Sequence, residues 1–387
     1  MNETIRTVKL KLLGDPKRMN QVLEAYQKAA NWLSPIVFER KITENPNKLA
    51  REFYQTIREQ FELPSQVSLS LFRQVTSTYK TAKSNNRWKL ATFKRPTVPI
   101  CWKRDFNLSS RGLTIWGQKF EYQSKPIPDG KWSDSKLKCV KGQWYLILCV
   151  TIQVPDLKTN GCLVGVDSGI KNIFVATNSD NRQTFYFRAN SLNHKRSCLR
   201  QTKARVASVG TPSSRRLLKR LAGREYAVTQ EILHLAAKRL VTWAVEQDAR
   251  TIVMEDLTNI RDSSLKKGKE FRAKVHRWPF AKAQFFVAYK GQNEGIGFEL
   301  VDPAYSSQRC PVCGHTERAN RHGLLFRCRV CGHQDNSDRV GSRNVSLRSV
   351  LQRQAVEERA AVNRLIVANE EHLGSVQLQA ARSSAER

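Results

Sequence analysis

The spacing of apolar residues changes period along this chain, and each change predicts a different architecture. Thr7-Val8-Lys9-Leu10-Lys11-Leu12 alternates apolar and basic residues, the pattern of a strand with one wet face. Gly14-Asp15-Pro16 ends it and opens a helix. From Met19 to about Lys41, Val22, Leu23, Tyr26, Ala29, Ala30, Leu33 and Ile36 recur at helical spacing. Pro46 breaks that pattern, a second helix is predicted from Leu49 to about Phe61, and a third starts near Ser65 with Val67, Leu71, Val75 and Tyr79 as its stripe. Beyond Pro96 the texture becomes short strands between Gly, Pro and Asp turns, among them Leu113–Trp116, Lys136–Val140 and Trp144–Val154. Together with the first strand they predict a small β-barrel interrupted by a helical lobe.

A second kind of pattern follows. Leu163, Val164 and Val166 form an apolar run, then Asp167, Ser168 and Gly169, then a run through Ile173, Phe174 and Val175. That reads as a buried strand, a tight bend and a returning strand. Thr251-Ile252-Val253-Met254 likewise runs straight into Glu255 and Asp256, of which Glu255, nearer the strand, is the better ligand candidate. A third acid, Asp338, opens a helical C-terminal stretch. Each could be a turn or capping residue. An unpaired carboxylate is costly to bury, and a divalent cation removes that cost. Three such acids converging from separate elements could hold two Mg²⁺ ions about 4 Å apart, placed to clamp both oxygens of a phosphodiester.

Charge narrows the partner. Lys and Arg number 66 against 34 Asp and Glu, a net charge of +32 in 387 residues. Such an excess self-repels unless it meets a polyanion, so nucleic acid is expected, with salt-dependent binding. The densest basic stretch, Asn181 to Arg224, holds twelve Lys or Arg and no acid. Arg196, Arg200, Lys203 and Arg205, then Arg215, Arg216, Lys219 and Arg220, fall on two predicted helices separated by Gly210-Thr211-Pro212. A solvated helix would interleave acids at i,i+4 spacing, so a phosphate-tracking hairpin is the better reading. The next helix, Tyr226 to Gln247, carries Ile232, Leu235, Ala236, Leu240 and Trp243 as its stripe, and His234 on it is read as structural. Aromatics such as Trp88, Phe93, Trp102, Trp116 and Trp132 fit a packed core better than base stacking.

No apolar run approaches a membrane span, and the N-terminus lacks the apolar core of a signal peptide, so a reducing cytoplasm is expected. Of nine cysteines, Cys101, Cys139, Cys149, Cys162 and Cys198 are scattered, more like small core residues than a disulfide frame. Cys310-x-x-Cys313 and Cys328-x-x-Cys331 are paired knuckles with fourteen residues between. A closed structural Zn²⁺ site is favoured over a redox pair or two buried cysteine pairs, without help from His315 or His333. From Leu351 onward five Arg balance five Glu, and Val356, Ala360, Asn363 and Val367 offer a thin helical stripe before a polar, disordered end.

The order of these motifs resembles the split RuvC nuclease of the TnpB family, transposon-associated RNA-guided nucleases related to compact type V CRISPR effectors. It rests on Asp167 in GVDSGIKN, Glu255 in IVMEDL, HRWPF at 276–280, VDPAYSSQRCPVCGH at 301–315, CGH at 331–333 and Asp338 in DRVGSRNV. The family's last motif reads Asp-x-Asn-Ala-Ala-x-Asn, whereas Val340, Gly341 and Ser342 stand here in place of Asn-Ala-Ala, which puts the local helix start in question. The resemblance implies an RNase H-like (RuvC) α/β nuclease domain with an inserted zinc ribbon, behind a wedge β-barrel interrupted by a helical recognition lobe. The corresponding segments are 1–14 and 96–156 (barrel), 15–95 (lobe), 157–304 (nuclease, with the basic insertion at 190–224), 305–333 (ribbon), 334–350 (third nuclease motif) and 351–387 (tail). It further implies catalysis by Asp167, Glu255 and Asp338 with two Mg²⁺, one structural Zn²⁺, and guide RNA and double-stranded target DNA as partners; a monomer is favoured over a dimer, a choice the sequence leaves open. Two readings compete with RNA-guided cleavage: a guide-dependent DNA-binding protein with weak or no cleavage, and a guide-free structure-selective nuclease.

Overall fold

The computed structural model describes residues 2–94, 96–109, 112–124, 126–263, 265 and 268–354, and the chain divides between Gln153 and Val154 into two compact units. The tail stripe from Val356 to Val367 lies outside the described residues.

In the first unit, strand β1 (Asn2–Leu13) precedes three helices, α1 (Lys17–Glu39), α2 (Pro46–Phe61) and α3 (Ser65–Ser84). Pro46 starts α2 rather than merely ending what precedes it, because the first helical position lacks an intrahelical N–H partner in any case. Most of the helical stripe is buried as read: Val22, Tyr26, Leu33, Val67, Leu71, Val75 and Tyr79 lie in the interior, whereas Leu23 and Ile36 are half-buried. Six further strands follow: β2 (Val98–Ile100), β3 (Phe106–Ser109), β4 (Gly112–Ile115), β5 (Gln118–Gln123), β6 (Lys131–Val140) and β7 (Gln143–Val154). With β1 they form one sheet in the order β2-β6-β7-β1-β5-β4-β3. The edges β2 and β3 approach through a bridge between Trp102 and Phe106, so the barrel is nearly closed. Buried Asp105 helps to stitch that seam, accepting hydrogen bonds from the Cys101 N–H at 2.8 Å and from Trp116 Nε1 at 3.1 Å. Trp116 is therefore a turn residue with φ of +46° rather than the end of a strand. Of the other tryptophans here, Trp88 stacks on Phe38 and Trp102 meets Trp132 edge-on.

The second unit is built on β8 (Cys162–Asp167), β9 (Asn172–Asn178), β10 (Thr184–Arg188), β11 (Ala249–Glu255) and β12 (Gly297–Val301), in the order β10-β9-β8-β11-β12. The first three form an antiparallel meander, while β8, β11 and β12 run parallel. Helices α4 (Asn190–Ser208) and α5 (Pro212–Glu246) connect β10 to β11, and α6 (Ile260–Ser263), α7 (Lys269–Arg277) and α8 (Phe280–Gln292) connect β11 to β12. Beyond a small antiparallel sheet of β13 (Arg321–His322), β14 (Leu325–Arg327) and β15 (Gln334–Asn336), helix α9 is described over 337–354.

The central strands are apolar through Leu163–Val166 and Ile252–Met254 because both faces are covered there. Val164, Val166, Ile252 and Met254 pack with α5 and α8, whereas Leu163 and Val253 meet Val345 of α9 on the opposite face. Two expectations are corrected in α5. The second basic helix and the Tyr226–Gln247 helix are one 35-residue helix, since nothing at Gly223 breaks the hydrogen-bonded ladder. Its buried stripe runs through Ile232, Leu233, Ala236, Ala237, Leu240, Val241 and Ala244, and Leu235 is exposed. His234 stacks on Phe286 with ring centroids 3.7 Å apart, a packing role. Cys198, expected in a core, is exposed on α4.

Candidate nuclease site

Strand geometry explains how two of the three acids meet. Side chains alternate faces along a strand, so Asp167 shares the face of Leu163 and Gly165, and Glu255 that of Val253, which is the face α9 covers. The parallel register pairs Val166 with Met254, so the next residues, Asp167 and Glu255, end adjacent strands about 4.8 Å apart. Asp338 arrives from α9 in its first turn. Asn336 Oδ1 accepts the Asp338 N–H at 3.0 Å, a capping contact that starts the helix where expected despite Val340, Gly341 and Ser342.

Those three residues each have a place. Val340 is fully buried against Cys310, Phe326 and Cys328, and Ser342 Oγ shares a 2.6 Å hydrogen bond with Thr177. A Cβ on Gly341 would come within 3.3 Å of Asp167 Oδ2, so the helix backbone passes close to the acid. Gly165 is stricter: a Cβ there would lie 2.0 Å from the Ser342 carbonyl, and α9 could not dock on β8.

Asp167, Glu255 and Asp338 all line one cavity of about 1020 Å³. Burial, then the negative charges of Glu255 and Asp338, push the Asp167 carboxyl well above the usual carboxylate range. Burial also raises Glu255, with the Ser306 hydroxyl, which donates to its Oε1, and then Arg321 pulling the other way. Asp256, the alternative, is exposed and accepts the Thr258 N–H at 3.0 Å, so Glu255 is the acid that faces the cavity. Three acids lining one cavity offer an all-oxygen donor set of the kind Mg²⁺ takes, although among the described residues only the four cysteines are already drawn into a group that could hold an ion.

Two groups that the sequence analysis did not single out also surround the acids. Asn172 Nδ2 donates to Asp338 Oδ2 at 2.9 Å, and Arg321 Nη2 lies 3.8 Å from Asp338 Oδ1. Asn172 was within reach of inference from GVDSGIKN, but nothing in the sequence ties Arg321 to an acid seventeen residues later. The eight basic residues named on α4 and α5 separate into two sets. Arg196, Arg200 and Lys203 line the cavity, with Arg196 over the Trp278 ring and Lys203 ion-paired to Glu225, just past the acid-free stretch. Arg205, Arg215, Arg216, Lys219 and Arg220 lie outside it, on the outward faces of the two helices.

Cys310, Cys313, Cys328 and Cys331 come together, all four sulfurs lying within 4.8 Å of one another. The Cys310–Cys331 and Cys313–Cys328 separations are both 3.6 Å. Four ligands at the usual Zn–S length of about 2.3 Å on a tetrahedron would stand about 3.8 Å apart, so the cluster fits a metal such as zinc.

Fold and site define a class: a mixed five-stranded sheet that delivers acids to a basic-lined cavity, with a four-cysteine ribbon set before the last acid. Comparisons with known proteins agree with it. Residues 280–345 match the family model described as Cas12f1-like, TNB domain. A TnpB-like protein of Methanocaldococcus jannaschii is 40% identical over 109 residues, 28% of this chain and 39% of that one. The putative RNA-guided DNA endonuclease InsQ of Escherichia coli is 32% identical over 225 residues, 53% of each chain. The chain thus spans about half or less of the length of these two curated relatives. Among solved structures, that of CasPhi-2 (Cas12j) bound to crRNA aligns over 89% of this chain and 98% of its own, with a TM-score of 0.51 at 11% identity, a likeness of fold alone. The resemblance to the TnpB family read from the motifs is borne out by the family model and both relatives. Among the described residues, no helix is long and apolar enough to cross a membrane.

Proposed function

We propose that this chain is an RNA-guided DNA endonuclease whose RuvC-like site hydrolyses phosphodiester bonds in target DNA. The carrying observation is the register that sets Asp167 beside Glu255 on adjacent parallel strands while α9 brings Asp338 into the same cavity. Guide RNA and double-stranded target DNA are the proposed partners of the +32 chain, acting in a prokaryotic cytoplasm. The near-closed barrel and the α1–α3 lobe are proposed as the wedge and recognition parts that grip them.

Asp167, Glu255 and Asp338 would hold two Mg²⁺, which when bound supply positive charge to the attacking water and the leaving 3′ oxygen. The chain's own groups do the positioning. Asn172 orients the Asp338 carboxylate, and Ser306 orients that of Glu255. Arg321, Arg196 and Arg200 give the cavity wall a positive potential suited to the phosphates of a strand entering it. The four cysteines are proposed to hold one Zn²⁺, whose filled shell leaves no position for chemistry.

The test is cleavage of a target duplex by guide-loaded protein in Mg²⁺. Asp167→Ala and Asp338→Ala should each abolish cutting, with guide-dependent DNA binding retained, and combining them should add nothing, because one assembly is lost either way. Cleavage by Asp338→Ala equal to wild type would remove that acid from the site. Binding without cleavage by the wild-type chain would turn the reading to a guide-dependent DNA-binding protein.

A further inference from the structure

We infer that Ser306 and Asn344 are positioning residues through which the four-cysteine ribbon sets the aim of Glu255 in the cavity. The inference rests on the proposed carboxylate site and adds its mechanical support. Glu255 is 9% exposed, and the Ser306 hydroxyl donates to its carboxylate. A glutamate has three rotatable side-chain bonds, so the place where that hydroxyl sits decides which rotamer persists.

Ser306 lies in a run of turns between β12 and the first cysteine knuckle. Tyr305, beside it, has φ of +60° with an exposed side chain, an unfavourable backbone state for a residue with a Cβ. Something outside the turn must hold it there, and the buried amide of Asn344 is placed to do so. Its Nδ2 donates to the Ser306 carbonyl at 2.6 Å and to the Arg309 carbonyl at 2.7 Å, spanning the turn from the α9 side. Arg309 directly precedes Cys310. One helical turn before Asn344, Val340 is buried among Cys310, Cys328 and Phe326. A continuous path of contacts thus runs from the cysteine cluster through Val340, Asn344 and the 303–309 turn to Glu255. A metal that fixes the knuckles fixes the Arg309 carbonyl, and with it the hydroxyl that aims the carboxylate.

The experiment reads metal affinity rather than cleavage. Mn²⁺ stands in for Mg²⁺, its free concentration followed by electron paramagnetic resonance, and zinc content is measured by elemental analysis. Asp167→Ala identifies the Mn²⁺ bound in the cavity. Ser306→Ala and Asn344→Ala should each weaken that binding about 10-fold or more, the usual loss when a ligand's hydrogen-bond partner is removed, with zinc content unchanged. Ser306→Thr, which keeps the hydroxyl, should stay near wild type. Unchanged Mn²⁺ affinity in Ser306→Ala overturns the inference while leaving the carboxylate site standing. So does loss of zinc in step with Mn²⁺, which would make Ser306 a residue of ribbon stability instead. Absence of any Mn²⁺ binding sensitive to Asp167→Ala would sink the carboxylate site itself, and this inference with it.

Discussion

Asp167 is held where its charge is least welcome. Its carboxyl is raised by burial and by two neighbouring acids, so without a cation the ionised form destabilises the fold. The sign follows from linkage: a carboxyl whose folded pKa lies above its unfolded one makes the protein more stable as pH falls through the folded value. Metal-free protein should therefore gain thermal stability on acidification from above the raised Asp167 and Glu255 values towards the ordinary carboxylate range. Asp167→Asn should raise the melting temperature of metal-free protein by a few degrees and flatten that dependence, while abolishing cavity metal binding. Calorimetry across pH with and without Mg²⁺ checks both, and a metal-free Asp167→Asn protein less stable than wild type would contradict the account. Protons also compete with Mg²⁺ for these oxygens, so metal affinity should rise with pH over the same window.

Among the elements, α9 has the most demanding fit. It closes one face of the sheet, supplies Asp338, buries Val340 against the ribbon and passes Asp167 at Gly341. Gly165 is the hinge of that arrangement, because any Cβ there meets the Ser342 carbonyl. Gly165→Ala should cost about 1–3 kcal/mol or more, as overpacking of a tight contact does. Hydrogen exchange should show the loss concentrated in α9 rather than in the first unit, and protection equal to wild type would refute the close approach. The departures from the family motif at Val340 and Ser342 are accommodated in the same terms: one faces an apolar ribbon core, the other a buried hydroxyl.

For the whole molecule the governing quantity is charge. A +32 chain binding a polyanion should lose affinity steeply with salt. Arg215, Arg216, Lys219 and Arg220 lie near the start of α5, outside the cavity, whereas Lys203 already has Glu225 as a partner. Replacing those four by Glu should weaken binding to all nucleic acid sequences alike. The slope of log affinity against log salt should become shallower by about 0.7–0.9 for each phosphate that is no longer neutralised. A change confined to one target sequence, measured by filter binding over a salt series, would mean that these residues read bases instead.

What the sequence determined by itself was whatever depends on local period and residue chemistry. The apolar stripes of α1–α3, the barrel strands, the paired cysteine knuckles and the acids ending apolar runs all carry signals within a few residues of one another. Even the choice of Glu255 over Asp256 followed from its standing nearer the apolar strand. Tertiary structure alone decided matters that join distant positions. The strand order setting Asp167 beside Glu255, the reach of Arg321 to Asp338, and the Ser306 hydroxyl on Glu255 span separations that no periodicity encodes. Helix stripes misled where burial came from an unexpected side: Leu235 fits the period but faces away from the sheet and α8. The physical reason is common to these cases. Period and propensity act along the chain, whereas packing partners are chosen across it, by surfaces that meet only once the chain has folded.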